Sequence, residues 1–365
     1  MTSNILKHTP LFAAHTALGA RMVPFGGWEM PVQYSGLVDE HHSVRTAAGV
    51  FDISHMGEFI VRGPQALAYL QHLLTADIAA IRVGEANYAL LCNNAGGVID
   101  DTFVYHLPDE YLVVVNAANI DKDFAWMATH LPGFDVEITN TSDRTAMLAL
   151  QGPAAEALLR PLAGDLAELP FHGVATGSVG GIAATVARTG YTGEDGFEIF
   201  VHNDDSTALW DAVLAAGARP CGLGARDSLR FEPCLALYGH ELTEDVNPYE
   251  ARLGWVVKLE KGDFVGRDAL QQIKAAGVAR RLTGFTMTGR GIARGEYPIH
   301  SIDGVPIGVV TSGMPAPTVG QHVGMGFVPT AHSAEGSEFD VIVRERPVRA
   351  RATRMPFYKP RYKKP

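Results

Sequence analysis

Two adjacent carboxylates, Asp100 and Asp101, stand in the middle of the stretch Y-A-L-L-C-N-N-A-G-G-V-I-D-D-T-F-V-Y-H-L-P-D-E-Y-L-V-V-V-N, from Tyr88 to Asn116. A carboxylate among apolar side chains must be paired, hydrogen-bonded or kept protonated by desolvation, and such a group suits the handling of a proton at a reacting centre. The three β-branched or aromatic runs, separated by Asn-Asn-Ala-Gly-Gly and Pro-Asp-Glu, read as a meander of strands. Alternation along the middle strand puts Ile99, Asp101, Phe103, Tyr105 and Leu107 on one side and Val98, Asp100, Thr102, Val104 and His106 on the other. Asp101 therefore falls on the more apolar face, and Asp100, pointing away, is expected to matter much less. A plainer reading, in which both aspartates belong to a solvated hairpin end, fits the spacing as well.

A second candidate is G-Y-T-G-E-D-G-F-E, from Gly190 to Glu198. Its spacing is wrong for a dinucleotide fingerprint, and no G-x-x-x-x-G-K-[S/T] occurs in the chain. What it offers is the Tyr191 ring and the Glu198 carboxylate beside a backbone that glycine leaves open to close approach. A carboxylate accepting donors from an amino-pyrimidine-like ring edge would be a natural partner there, with a surface turn before a strand as the alternative. Further on, in G-L-G-A-R-D-S-L-R-F-E, Arg226 and Arg230 are one helical turn apart and could face the same side.

The elements that must position these residues follow from the punctuation. Thr9 begins a plausible helix, Gly26-Gly27 with Pro24 and Pro31 forbids its continuation, and His41 to Ala48 reads as helical with Gly49 as its end. Phe59 to Arg62 and Met147 to Gln151 read as strands, each followed by Gly-Pro and an amphipathic helix, because proline suits a first helical turn. A third unit runs from Val186 to His202 into a helix from Ser206 to Ala216, capped by Asp204, Asp205 or Ser206 and ended by Gly217. Another helix starts at Gly266-Arg267-Asp268. Beyond a boundary near 277 to 281, short strands with Ile302-Asp303-Gly304 and Ser312-Gly313 as turns predict an antiparallel barrel.

At 365 residues, two or three packed units are expected. No apolar run is long enough to span a bilayer, and the start M-T-S-N-I-L-K-H-T-P lacks the pattern of a secretory signal, so a cytoplasmic protein is expected. Cys92, Cys221 and Cys234 support neither a disulfide framework nor a zinc ribbon, and the 14 histidines form no His-Glu-x-x-His, so no metal is expected. A net charge of −10 disfavours nucleic acid. The segment from Arg344 to Lys364 is strongly basic, either a steering surface for an acidic partner or a solvated edge and tail.

Taken in order, T-P-L-F-A-A-H, P-F-G-G-W-E-M-P-V-Q-Y, F-D-I-S-H-M-G-E, N-N-A-G-G-V-I-D-D, R-T-G-Y-T-G-E-D-G-F-E, G-A-R-D-S-L-R-F-E, L-Y-G-H-E-L, D-F-V-G-R-D-A-L, T-S-G and M-P-F-Y resemble the T-protein family, the aminomethyltransferases of the glycine cleavage system. The resemblance covers nearly the whole chain. It implies an α+β, multidomain cloverleaf of antiparallel sheets with flanking helices, two interleaved domains over residues 1–278 and a C-terminal β-barrel over 279–365. It implies a folate channel with Asp101 as the catalytic carboxylate, Glu198 and Tyr191 holding the pterin, and Arg226 touching folate. Met56, Tyr88, Val114, Asn116, Trp255 and Tyr362 match further positions of that channel. The implied reaction passes a one-carbon unit from the aminomethylated lipoyl arm of a small carrier protein, the H-protein, to tetrahydrofolate as co-substrate. Ammonia is released and methylene-tetrahydrofolate is formed. Pro233 and Cys234 in E-P-C-L-A-L-Y-G depart from the family pattern and alter the wall near Tyr238. Two rivals share the scaffold: a folate-dependent demethylase, and a non-enzymatic folate-binding protein of iron-sulfur assembly. The second resembles K-G-C-x-x-G-Q-E where this chain has G-Y-T-G-E-D-G.

Overall fold

The computed structural model describes residues 6–363. The opening M-T-S-N-I and Lys364 of the basic tail lie outside the described residues. The meander forms as the sequence pattern requires: Ala86–Cys92, Val98–His106 and Tyr111–Val115 pair in turn, and Gly57–Arg62 and Glu137–Asn140 complete a five-stranded sheet. Its first turn is built on Gly96 and Gly97. Gly96 adopts a φ of +84°, and a Cβ on Gly97 would lie 1.7 Å from the Glu244 carbonyl oxygen, so only glycine lets the two backbones meet.

A six-stranded sheet lies against this one, in the order Val174–Val179, Ile182–Ala187, Gly196–His202, Thr145–Gln151, Gly49–Asp52, Arg219–Pro220, antiparallel except for its last pair. Gly49–Asp52 precedes the whole five-stranded sheet in sequence yet pairs with Thr145–Gln151, so the two halves are interleaved. Each sheet carries helices on its outer face. Phe51, Ile53, Met147 and Phe200 from one sheet pack with Tyr105, Leu112 and Val114 from the other to make the shared inner layer. Burying such side chains contributes roughly 1.5–3 kcal/mol each, which holds the sheets face to face.

The two strand-Gly-Pro-helix units are present, the helices spanning Ala66–Leu73 and Ala155–Ala163. Gly152 has a φ of +131°, and a Cβ there would meet the Ala47 carbonyl oxygen at 2.4 Å. The other helices depart in detail from the sequence reading. Residues 37–46 form the helix Leu37–Thr46, and Gly49 opens a strand, because a Cβ there would strike Cys221 Sγ at 2.5 Å. The helix Ser206–Ala215 has no side-chain cap; instead His202 accepts from the Asp204 amide just before it.

A closed antiparallel barrel follows, ordered Arg280–Met287, Gln321–Pro329, Pro306–Ala316, Pro298–His300, Glu338–Val343, Arg346–Ala352. Ile302-Asp303-Gly304 is a turn, but Ser312-Gly313 is not. Both residues lie inside the strand Pro306–Ala316 beside a register shift, and Gly313 is needed because a Cβ would meet the Ala293 carbonyl oxygen at 2.7 Å.

Candidate active site

Asp101 projects from the strand Val98–His106, the middle strand of the meander, into the layer between the sheets. It is half-buried, and its two oxygens are held from neighbouring strands: Tyr88 Oη donates to Oδ2 at 3.0 Å and Asn116 Nδ2 to Oδ1 at 2.9 Å. Burial and the neighbouring Asp100 charge push the Asp101 carboxyl up to about 7, with the Tyr88 and Asn116 bonds pulling the other way. A carboxyl poised there exchanges a proton readily near neutrality.

Asp100 does point to the opposite face, but that is the more buried one. It is fully buried, as are Val98, Thr102 and Val104, because the helix Ile120–Thr129 covers this side. Its oxygens accept from the Asn116 amide N–H at 2.9 Å, Asn116 Nδ2 at 2.8 Å and Asn119 Nδ2 at 2.8 Å. For Asp100 the solvated hairpin end is overturned. Asn116 clamps the pair: its side-chain amide reaches both carboxylates.

Glu198 enters from the facing sheet, on the strand Gly196–His202. It is buried, and Tyr105 Oη, at 3.1 Å, and Thr189 Oγ1 both donate to its Oε2; Oε1 takes no bond among the described residues. Tyr191 donates its hydroxyl to the Ala236 carbonyl oxygen, and the Arg226 guanidinium lies 4.8 Å from its ring centroid. Burial raises the Tyr191 hydroxyl above its usual value, with the Asp101 charge adding to this and Arg230 and Arg226 opposing it. Arg226 comes from the helix Leu223–Phe231; its Nη1 is buried with no partner among the described residues, and burial holds its pKa below the usual value. Arg230, one turn on, does not share that role. It is buried in ion pairs with Glu241 at 2.9 Å and Asp227 at 2.8 Å and donates to Ser312 of the barrel.

An aromatic wall joins the remaining positions. Exposed Trp255 stacks on Tyr88, with centroids 6.0 Å apart, and Tyr88 leans on Phe103 at 6.3 Å. Phe103 meets His172 edge-on at 5.2 Å, His172 stacks on Phe171 at 4.0 Å, and Phe171 stacks on Tyr362 at 4.8 Å. Val114 is the cross-strand neighbour of Phe103, and Met56 packs on the inner layer beside them. Trp255 and Tyr362 thus mark the two ends of one wall rather than direct neighbours of Asp101. Pro233 sits against Gly193, 3.0 Å from where its Cβ would be, so this departure bears on the Tyr191 loop and not only on the wall near Tyr238.

Several polar groups were not singled out from the sequence. Tyr105 carries Glu198, and alternation already placed it on the Asp101 face. Glu58 is fully buried with both oxygens unpartnered, and burial drives its carboxyl well above the usual range. His55 Nδ1 is also unpartnered, and burial with the nearby Arg226 charge lowers its imidazole to about 4. Both lie in the motif F-D-I-S-H-M-G-E, whose spacing alone does not say which polar groups turn inward.

Comparison with known proteins bears directly on this cleft. Residues 11–261 match the model of the GCVT N-terminal domain, and residues 280–359 match that of the glycine cleavage T-protein C-terminal barrel domain. The chain belongs to the glycine cleavage T-protein family, a family of aminomethyltransferase enzymes. It is 54% identical to the aminomethyltransferase of Herpetosiphon aurantiacus, over 98% of this chain and 100% of that one. It is 50% identical to that of Geobacillus kaustophilus, over 97% and 99%. The crystal structure of the glycine cleavage system aminomethyltransferase T from Bartonella henselae superposes with a TM-score of 0.93 at 35% identity, over 98% of this chain and 99% of that one.

Proposed function

We propose that this protein transfers the one-carbon unit of an aminomethylated lipoyl carrier to tetrahydrofolate, releasing ammonia and forming methylene-tetrahydrofolate, with Asp101 as the catalytic carboxylate. The observation that carries this reading is the Asp101 carboxylate, gripped by Tyr88 and Asn116 between the sheets and poised to exchange a proton near neutral pH. The surrounding donors and acceptors fit an amino-bearing ring. Among the described residues Glu198 keeps Oε1 free to accept and the buried Arg226 Nη1 has no partner, and Tyr191 and Tyr88 offer ring faces.

Tetrahydrofolate, when bound, supplies the nucleophilic nitrogens that receive the carbon. The chain's own part is positioning and electrostatics. Asp101 orients the incoming group, accepts a proton at Oδ1 or Oδ2, and offsets positive charge that develops beside it. Tyr88 and Asn116 fix the carboxylate, so that no reorganisation is needed as charge appears. Glu198, Tyr191 and Arg226 hold the ring, with Met56, Val114, Trp255 and Tyr362 completing the cleft. The apolar inner layer and the buried face behind Asp100 keep water from the reacting centre. We place the division between the folate-binding region and the barrel at 278/279. No described helix is long and apolar enough to cross a membrane, which is compatible with a cytoplasmic place of work.

The test is formation of methylene-tetrahydrofolate with and without the aminomethylated carrier. Carrier-dependent product with stoichiometric ammonia is expected. Product from a methylated donor without ammonia would favour a demethylase, and folate binding without turnover would favour the iron-sulfur assembly reading.

A further inference from the structure

Behind Asp101 the structure holds a third carboxyl that the proposed chemistry does not use. Asp123, on the helix Ile120–Thr129, is fully buried, and neither of its oxygens meets a donor among the described residues. Asn119, one helical turn before it, donates to Asp100 Oδ1 at 2.8 Å, which sets the buried Asp123 carboxyl on the Asp100 side of the strand, and burial with the Asp100 contact raises it. Among the described residues no cation pairs with either carboxyl. Lys122, the nearest, is turned to the Ile99 carbonyl oxygen at 2.7 Å and the Tyr238 hydroxyl at 2.8 Å, with Glu244 at 3.7 Å. Asp123 also feels the Asp101 charge from the other face of the strand, and the Tyr238 hydroxyl, from the 235–250 segment, feels the Asp123 charge.

Two buried carboxyls in contact cannot both be ionised, so the pair keeps one proton. Its place is decided by hydrogen bonding. Asp100 already accepts three N–H donors, which favour its charged form, whereas Asp123 has none. We propose that Asp123 is a positioning residue: its carboxylic O–H donates to Asp100, keeping Asp100 an ionised anchor for Asn116 and Asn119, and so fixing the Asn116 amide that holds Asp101. The inference rests on Asp101 being the working carboxylate. Burial and the Asp100 charge, which both raise the Asp123 carboxyl, agree with it.

The experiment compares the parent with Asp123→Asn, which keeps a donor, and Asp123→Leu, which keeps volume but donates nothing. Carbon-13 aspartate NMR follows the Asp101 and Asp123 carboxyl carbons through a pH titration, and turnover is measured over the same range. We expect an Asp123 carbon that stays protonated through neutrality and is absent from both variants. In the Asn variant the Asp101 midpoint should match the parent, with turnover within about threefold. In the Leu variant the Asp101 midpoint should move, and turnover should fall roughly 10- to 100-fold, as expected when a reacting group is misplaced. An Asp123 that ionises below neutrality overturns the proposal, as does an Asn variant that lowers the Asp101 midpoint or a Leu variant that leaves it unmoved. Because the NMR titration requires no turnover, loss of the proposed reaction would be told apart from loss of this inference. A Leu variant that unfolds is replaced by Asp123→Ser, whose hydroxyl is too short to reach Asp100 and carries the same expectation.

Discussion

Replacing Asp100 by asparagine tests whether the buried side of the carboxylate pair supports the site. Three N–H groups converge on Asp100: the Asn116 amide on Oδ2 and the side-chain amides of Asn116 and Asn119 on Oδ1. An asparagine has one acceptor oxygen. If it faces the two side-chain amides, its own NH2 is turned toward the Asn116 backbone N–H, donor against donor; the opposite flip is worse, because two donors are then opposed. At least one buried backbone donor is stranded, at a cost of about 1–3 kcal/mol, and the two surviving bonds lose their charge assistance, about 0.5–1 kcal/mol each. Together these leave about 2–5 kcal/mol of destabilisation. Urea denaturation should therefore show a lower midpoint at unchanged slope, and turnover should fall because Asn116 no longer holds Asp101. A midpoint and turnover equal to the parent's would refute the role drawn for Asp100.

Asp101→Asn should lower turnover by about 10²–10⁴-fold while folate still binds. The carboxylate is the active form, so parent turnover should rise as pH increases through about 7 and be lost below it, and a profile flat through neutrality would contradict the environment of Asp101. Glu198→Gln and Arg226→Ala should each weaken tetrahydrofolate binding by about 1–3 kcal/mol in calorimetric titration; unchanged affinity in both would move the pocket elsewhere. In the basic tail, Arg349 and Arg351 are engaged with Glu338 and Asp340 and Lys363 with Glu156, whereas exposed Lys359 forms no ion pair among the described residues. Lys359→Ala should therefore raise the apparent KM for the carrier and reduce its salt sensitivity, with KM for folate unmoved; no change in either would leave the tail as a solvated edge.

What could be read from the sequence was whatever depends on local geometry. The period of two in V-I-D-D-T-F-V-Y-H places Asp101, Phe103 and Tyr105 on one face, and the structure keeps them there, because a strand leaves no other choice. Glycine and proline marked the turns where the backbone itself demanded them, as at Gly96-Gly97 and Gly152. The same period says nothing about what covers each face. Asp100 looked dispensable because its side of the strand seemed less apolar. That side is in fact sealed by the helix Ile120–Thr129, and the covering is a tertiary fact that no window around residue 100 contains. Ser312-Gly313 failed for a related reason: its glycine answers the Ala293 backbone across the barrel, not a turn.

The polar bonds that make the site work are more distant still. Tyr105 and Glu198 are brought together from different sheets, and Arg226 reaches the Tyr191 ring from a helix, so these pairings follow from how the sheets and that helix pack. One signal was nevertheless local. Asn116 and Asn119 are three residues apart at the entrance to the helix Ile120–Thr129, and that spacing directs both side chains to the same carboxylate. The turn from the third strand into this helix does two jobs at once. It delivers the Asn116 clamp to Asp101 on one face and carries Asn119 and Asp123 to the Asp100 side on the other, so the acidity of the half-buried carboxylate is set in part by Asp100, which points away from the cleft.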